Sequence, residues 1–502
     1  MVLDFSSNLD YVWALLPEIV LCVWGMVVLM AGVWHGASSE EGSRSQDLGW
    51  LALVGIALAA VANGWLHGVR SVGTNGMIAV DGFRIFSNWI FLTAAFMGML
   101  VSFHYVYRQR LQAGEYYALM LFSVAGMMFM SGARDLIVLF LGLEVMSIAV
   151  YALSAFNRRD RRSAEAGLKY FLLGAFSTGF FLYGIALVYG ASGSTHLPTI
   201  ALAVSSGAAR GPLLLVGVAL VGVGFAFKVS AVPFHMWTPD VYEGAPSPVT
   251  AFMSAGVKAA AFVAFFRVFL VSFQGTYESW YGVMWWLSAI TMVAANLIAL
   301  VQTNVKRMLA YSSVAHGGYL LVAITAANQA SAGAALFYLL VYTVMNISAF
   351  AVVIAVSNHG EERLELEDYA GLGRTQPGLA LLLTLFLLSL AGFPGTGGFM
   401  AKFQLLLGAA DAQLWTLSVI LVLSTVVSYA YYLRLAWYAW MREPAAESSS
   451  SPVYIPIGMR LALMLGAAVV IWLGLFPGPV LDLARASAVG LGGTGGTVGI
   501  LP

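Results

Sequence analysis

The apolar positions of this chain neither alternate nor mark a single helical face; they run on. Nearly uncharged stretches fall at about 11 to 34, 48 to 68, 84 to 106, 116 to 132, 135 to 156, 166 to 190, 212 to 233, 247 to 273, 281 to 303, 308 to 327, 332 to 357, 378 to 410, 415 to 440 and 459 to 477. A helix needs about 20 apolar residues to cross the hydrocarbon core. The pattern therefore predicts an all-α polytopic membrane protein with about fourteen transmembrane helices. The first run exceeds a signal-peptide core and follows Asp4 and Asp10 instead of a basic segment, so it reads as a retained span. Two runs are interrupted. The seventh carries a glycine-rich stretch, Gly217 to Gly224, and then Pro233, Pro239, Pro246 and Pro248; the twelfth contains Phe393-Pro394-Gly395-Thr396-Gly397-Gly398-Phe399. Proline removes a backbone donor and glycine loosens the helix, so both runs predict a broken helix whose freed carbonyls line a polar cavity.

Composition narrows the function. Of 502 residues 60% are hydrophobic and 10% charged, which excludes a soluble fold, and 24 basic against 24 acidic residues suggest neither nucleic acid nor an acidic partner. A single cysteine, Cys22, cannot build a disulfide framework, an iron–sulfur cluster or a Cys-type zinc site, so redox chemistry must occur outside this chain. Basic residues are informative by position. Loops joining odd to even spans, with their flanks, hold Arg44, Arg108, Arg110, Arg158, Arg159, Arg161, Arg162, Lys169, Lys306, Arg307, Arg363, Arg374, Arg434, Arg442 and Arg460; the opposite loops and the C-terminus hold Arg70, Arg84, Arg134, Arg210 and Arg485. This bias places the Arg158 to Arg162 cluster in the cytoplasm and both termini on the outer face. The loop Ala445 to Ser451 reads as a linker and Gly490 to Gly499 as a flexible tail.

Four basic residues remain at membrane depth: Lys228, Lys258, Arg267 and Lys402. The chain has nineteen arginines but five lysines, and three of those five lie inside apolar runs. Lysine can be driven neutral by burial and arginine cannot, so a group that must alternate between charged and neutral calls for lysine. Lys228 and Lys402 each stand beside a predicted break, and Lys258 follows the small-residue stretch Ser254-Ala255-Gly256. Glu144 lies mid-span, where an unpaired charge is expensive and a functional role is the default, a fixed ion pair or a hydrogen-bonded core acid being the alternative. His316 is a secondary candidate, equally at home as a hydrogen-bonded core histidine. Arg267 reads as snorkelling to a nearby surface, and Glu18, after Pro17, as interfacial.

An internal repeat organises these residues. Ala166-Gly167-Leu168-Lys169-Tyr170-Phe171-Leu172 resembles Ala334-Ala335-Leu336-Phe337-Tyr338-Leu339-Leu340, and ten residues separate Arg134 from Glu144 as they do Lys306 from His316. The pairing sets spans four to eight against nine to thirteen. Five is odd, so the copies are inverted, each containing a broken helix, as in secondary transporters. The expected organisation is an N-terminal three-helix segment over 1–115, a first five-helix repeat over 116–273, a second over 281–440, and a C-terminal helix and tail over 441–502.

The stretch from Phe227-Lys228-Val229 through Pro233-Phe234-His235-Met236-Trp237-Thr238-Pro239-Asp240-Val241-Tyr242-Glu243-Gly244-Ala245-Pro246 to Pro248-Val249-Thr250-Ala251-Phe252 resembles the signature of the antiporter-like membrane subunits of respiratory complex I, the proton-translocating NADH-quinone oxidoreductase. The Val-Tyr-Glu-Gly-Ala-Pro wording is nearer the subunit N, or subunit 2, branch than the L and M paralogues. Ala310-Tyr311-Ser312-Ser313-Val314-Ala315-His316-Gly317-Gly318-Tyr319, and Ala391-Gly392-Phe393-Pro394 with Lys402, fit the same branch. The resemblance spans nearly the whole chain. It implies a translocase subunit of the bacterial cytoplasmic (inner) membrane, with proton transfer by Glu144, Lys228, Lys258 and Lys402, and His235 as a further candidate of unassigned role. It implies no cofactor in this chain: flavin, iron–sulfur clusters and quinone belong to partner subunits, and the partners are other complex I membrane subunits, antiporter-like paralogues included. Residues and resemblance together suggest a switch in which Lys228 keeps its proton while Glu144 is close and passes it toward Lys258 and Lys402 when they part. A subunit of a multi-subunit cation/proton antiporter and a membrane scaffold with fixed ion pairs are the competing readings.

Overall fold

The computed structural model describes residues 1–35, 41–71, 76–357, 362–443, 455–489 and 491. In chain order the helices are α1 (Asn8–Ala14), α2 (Leu16–His35), α3 (Glu41–Trp65), α4 (Gly82–Arg108), α5 (Ala113–Gly132), α6 (Leu136–Ser154), α7 (Arg161–Ser192), α8 (Leu197–Ser205), α9 (Pro212–Lys228), α10 (Trp237–Gly244), α11 (Ser247–Phe252), α12 (Lys258–Val271), α13 (Tyr277–Leu300), α14 (Val305–Ala326), α15 (Gln329–Val356), α16 (Leu372–Thr375), α17 (Pro377–Ala391), α18 (Gly397–Asp411), α19 (Trp415–Met441), α20 (Ile457–Leu475) and α21 (Gly478–Val489). Among the described residues twelve segments form helices long and apolar enough to cross a bilayer, α11 and α12 counting as one, and α9 and α17 are shorter apolar helices. Adding the two interrupted spans, α9 with α10 and α17 with α18, gives the fourteen that the hydropathy pattern predicts. The one sheet among the described residues is a two-residue parallel pairing of β1 (Val2–Leu3) with β2 (Arg70–Ser71).

Local chemistry sets the helix ends. Asp81, Asp135, Asp160, Asn304 and Asn328 each accept a bond from a backbone amide in the first turn of α4, α6, α7, α14 and α15. Pro212 and Pro377 open α9 and α17, where a missing donor costs nothing. Gly392, at φ +89°, ends α17 in the left-handed region and makes the predicted break.

Burial is unevenly shared. In α14 and α15, 94% of the most apolar stretch is buried within the chain, against 33% in α7 and 28% in α2. The helix that carries His316 is therefore central, as is the α11–α12 span that carries Lys258, 89% buried over its own most apolar stretch, and α2 and α7 leave apolar faces for lipid or a neighbouring subunit.

Several charges sit elsewhere than the hydropathy pattern suggests. Glu18 is not interfacial: it is fully buried and pairs with Arg84 at 2.5 Å. Arg84, assigned above to an outer loop, also donates to the Ala14 and Ala79 carbonyls, both at 2.9 Å. Arg267 does not snorkel; both terminal nitrogens bond the Asp81 carboxylate at 2.9 Å, and the residue is 3% exposed. Lys306 is buried in the first turn of α14, bonded to Glu362 and the Ala245 carbonyl at 3.0 Å. Arg108 and Arg434 donate to carbonyls at the C-terminal ends of α15 and α13. A desolvated charge persists only where a partner answers it, and residue counts cannot show those partners. Arg161 and Arg162 open α7 instead of lying in a loop, and the first helix of the seventh span stops at Lys228. The amphipathic α21 is an element the hydropathy reading lacks. The side chains of Arg44 and Arg70, the loop Ala445 to Ser451 and, Leu491 apart, the tail Gly490 to Gly499 lie outside the described residues.

Candidate functional site

Helix α6 places Glu144, Ser147 and Tyr151 on one stripe, at spacings of three and four residues. Lys228, the last residue of α9, turns to that stripe: its Nζ donates to Ser147 Oγ at 2.7 Å and to Tyr151 OH at 3.1 Å, and lies 5.2 Å from the Tyr151 ring centroid. Ser147 in turn donates to the Leu143 carbonyl at 2.5 Å, so toward the lysine it can only accept. Glu144 is half-buried and makes no ion pair with Lys228; its Oε1 accepts from Thr178 Oγ1 of α7 at 3.0 Å. The predicted pair is thus apart, with Ser147 and Tyr151 occupying the lysine.

Lys258 follows a single π-helical turn, Met253–Val257, which joins α11 to α12. Within the turn, Ser254 donates to the Ala251 carbonyl at 3.0 Å and accepts from Asn346 of α15 at 2.7 Å. Lys258 Nζ donates to the Ser313 carbonyl at 2.5 Å and also to the Ser313 hydroxyl. On α14, Ser313, His316 and Tyr319 follow at three-residue intervals, about 4.5 Å of rise each. His316 meets two tyrosine hydroxyls, Tyr338 at Nδ1 (2.5 Å) and Tyr432 at Nε2 (3.3 Å), and Tyr432 continues to Ser312. Lys402 closes the line from α18. Its Nζ donates at 2.9 Å to the carbonyl of Ala391, which the break after α17 exposes, and stands 4.8 Å from the Tyr319 ring centroid. Tyr319 accepts from Asn296, which accepts from Tyr431.

The structure therefore arranges Lys228, Lys258, His316 and Lys402 as buried groups answered by hydroxyls, carbonyls and ring faces; none of the three lysines has a carboxylate within ion-pairing distance among the described residues. Such an ammonium is stabilised less than in an ion pair and can give up its proton without stranding an anion. His235 stands apart. It lies half-buried in the break between α9 and α10, its Nδ1 without a partner and its ring 6.3 Å from that of Tyr311. The hydroxyl groups Ser147, Tyr151, Thr178, Ser313, Tyr338 and Tyr432 escape a search for charge, although the spacing of Ser147 and Tyr151 from Glu144, and of Ser313 and Tyr319 from His316, is visible in the sequence. Two carboxylates of α10 were also passed over: Asp240 bonds Lys169 at 2.9 Å and Arg307 at 3.0 Å, and Glu243 bonds Arg307 at 2.7 Å.

A family model described as "NADH:quinone oxidoreductase/Mrp antiporter, TM" matches residues 133–428, the stretch that contains Glu144, Lys228, His235, Lys258, His316 and Lys402. The chain belongs to this family. Within it, the NADH-quinone oxidoreductase subunit N of Trichlorobacter lovleyi is 46% identical over 94% of this chain and 96% of its own length. A chain in a structure of respiratory complex I from Thermus thermophilus is 35% identical, with a TM-score of 0.79 over 93% of this chain and 99% of that one. A chain of the Mrp complex from Dietzia has a TM-score of 0.80 at 20% identity, over 95% of this chain and 97% of that one, which shows a shared fold alone. The oxidoreductase branch of the family is thus the nearer in sequence, as the Val-Tyr-Glu-Gly-Ala-Pro wording suggests.

Proposed function

We propose that this chain conducts protons as the subunit N component of an NADH-quinone oxidoreductase, a multi-pass protein of a bacterial inner membrane. What carries the reading is the set of polar groups at membrane depth, Glu144, Lys228, Lys258, His316 and Lys402, three of them buried lysines without a counter-ion among the described residues. Family membership supplies the setting: NADH oxidation and quinone reduction occur in partner subunits, which hold the flavin, iron–sulfur clusters and quinone, and this chain takes no part in the redox step.

The lysines act as transient carriers. With Glu144 apart, Lys228 leans on Ser147 and Tyr151; approach of the carboxylate makes the charged lysine more favourable, and withdrawal makes release toward Lys258 more favourable. His316 lies between Lys258 and Lys402 along α14, with a hydroxyl at each ring nitrogen to receive or supply a proton. Glu144 is half-buried on a face where Leu141, Val145 and Ile148 are exposed. A charge in a neighbouring membrane subunit can reach it there, which gives the rest of the assembly its hold on the switch. Basic groups at the starts of α7 and α14 support a cytoplasmic side there and outer termini, and the breaks in spans seven and twelve support two inverted five-helix units.

Lys228→Arg tests the carrier role, because arginine keeps the charge but does not surrender its proton. Proton pumping per electron in reconstituted vesicles should fall sharply while the assembly stays intact. Wild-type pumping by that variant would end the reading.

A further inference from the structure

Helix α7 presents two features to the Glu144 stripe, one turn apart. Gly174 leaves room for the Tyr151 hydroxyl, which a Cβ at that position would strike. Four residues on, Thr178 donates to Glu144 at 3.0 Å. The two members of the switch are therefore held apart by separate partners: α7 engages the carboxylate through Thr178 and accommodates the tyrosine that helps engage Lys228. The hydroxyl of Ser147, directed back to Leu143, is an acceptor for the lysine and offers the carboxylate nothing.

We infer that Thr178 is a positioning residue that latches Glu144 in the open state of the Glu144–Lys228 switch, so that α7 sets how readily the switch closes. The inference rests on the proton-carrier reading above. Glu144 has two competing partners, a neutral hydroxyl that is bonded now and a cationic ammonium reached by a change of side-chain conformation. A hydrogen bond to a charged acceptor contributes about tenfold to a hundredfold in a population ratio. Removing the hydroxyl moves the balance toward the closed pair by that factor, and a switch that stays closed passes fewer protons.

The test is a set of variants in the whole complex. Thr178→Val keeps the shape and loses the hydroxyl; Thr178→Ser keeps the hydroxyl. Pumping per electron, normalised to assembled complex, should fall about tenfold for Thr178→Val, taking the lower end of that range, and remain near wild type for Thr178→Ser. An equal fall for Thr178→Val and Thr178→Ser would mean that the hydroxyl is not what holds Glu144, and would overturn the inference. So would a Thr178→Val complex that pumps at the wild-type ratio. If Thr178→Val fails to assemble, Thr178→Ala is read in its place, against Thr178→Ser, with the same criteria. The carrier reading is scored separately, by Lys228→Arg and Glu144→Gln alone: if those lose pumping while Thr178→Val does not, the latch falls and the carrier stands.

Discussion

Lys258 offers the sharpest separation of function from stability. It is 1% exposed, its neighbours Gly256, Ala259, Ala260 and Ala261 are buried, and its ammonium is answered by the carbonyl and hydroxyl of one serine. Replacement by methionine keeps the length and removes the charge. The Ser313 carbonyl remains in the ladder of α14, so no backbone group is orphaned. Exchanging buried charged groups for hydrophobic ones of similar volume is neutral or stabilising by about 1 to 4 kcal/mol, and Lys258→Met should fall in that range. Arginine keeps the charge and adds volume at a fully enclosed position, an overpacking that costs about 1 to 3 kcal/mol. The expected order of stability is therefore Met at or above Lys, and Lys above Arg. Pumping should be lost in both variants, since neither methionine nor arginine can take up and release a proton. Graded heating of the detergent-solubilised complex, followed by measurement of the intact fraction, gives the first order; NADH-driven acidification in vesicles gives the second. A methionine variant less stable than wild type by more than about 1 kcal/mol would show that the charge is a structural tie. A methionine variant pumping at the wild-type ratio would remove Lys258 from the path.

Three further outcomes follow from groups outside the line of lysines. Removing either member of the buried Glu18–Arg84 pair should cost about 3 to 5 kcal/mol; Arg84→Met should be the worse, because the Ala14 and Ala79 carbonyls lose their donor too, and the double variant should recover only part of the loss in the same heating assay. At Asp81, burial opposes ionisation, but the Arg267 charge and hydrogen bonds, the Arg84 amide and Arg134 together hold the carboxyl below its ordinary value. Its contribution is thus complete above the unfolded value, near 3.9, and fades as pH falls through the lower folded value, so Asp81→Asn should be less stable than wild type at pH 5 and converge with it under strong acid. Single cysteines at Arg158 and Ser6, in a Cys22→Ser background, should react from opposite faces of sealed vesicles; labelling from the same face would reverse the assigned topology of one end.

Span number and the breaks were legible because they depend on quantities that sequence carries directly: run length, proline and glycine. Lys228, Lys258 and Lys402 were legible because lysine is scarce in this chain. Partners were not. Arg267 and Glu18 read as surface groups since their counter-charges, Asp81 and Arg84, lie 186 and 66 residues away in the chain. The π turn before Lys258 leaves no mark in composition, since its five residues would suit an ordinary helix. Thr178 drew no attention among the apolar residues of α7, and only the packing of α7 on α6 gives its hydroxyl a carboxylate to hold.

The length of α7 has a mechanical meaning. Its 32 residues extend about 48 Å, whereas the hydrocarbon core is about 30 Å thick, so roughly three turns stand outside or are taken up by tilt. Those turns include Arg161 to Lys169, and Lys169 grips Asp240 on the short half of the first broken helix. Nine residues further along the same rigid rod, about 13 Å, comes Thr178. A tug on the water-exposed end of α7, by an ion, a neighbouring subunit or a shift of α10, would therefore arrive at Glu144 as a displacement of its only hydroxyl partner among the described bonds, with no need for the signal to cross the interior by any softer route.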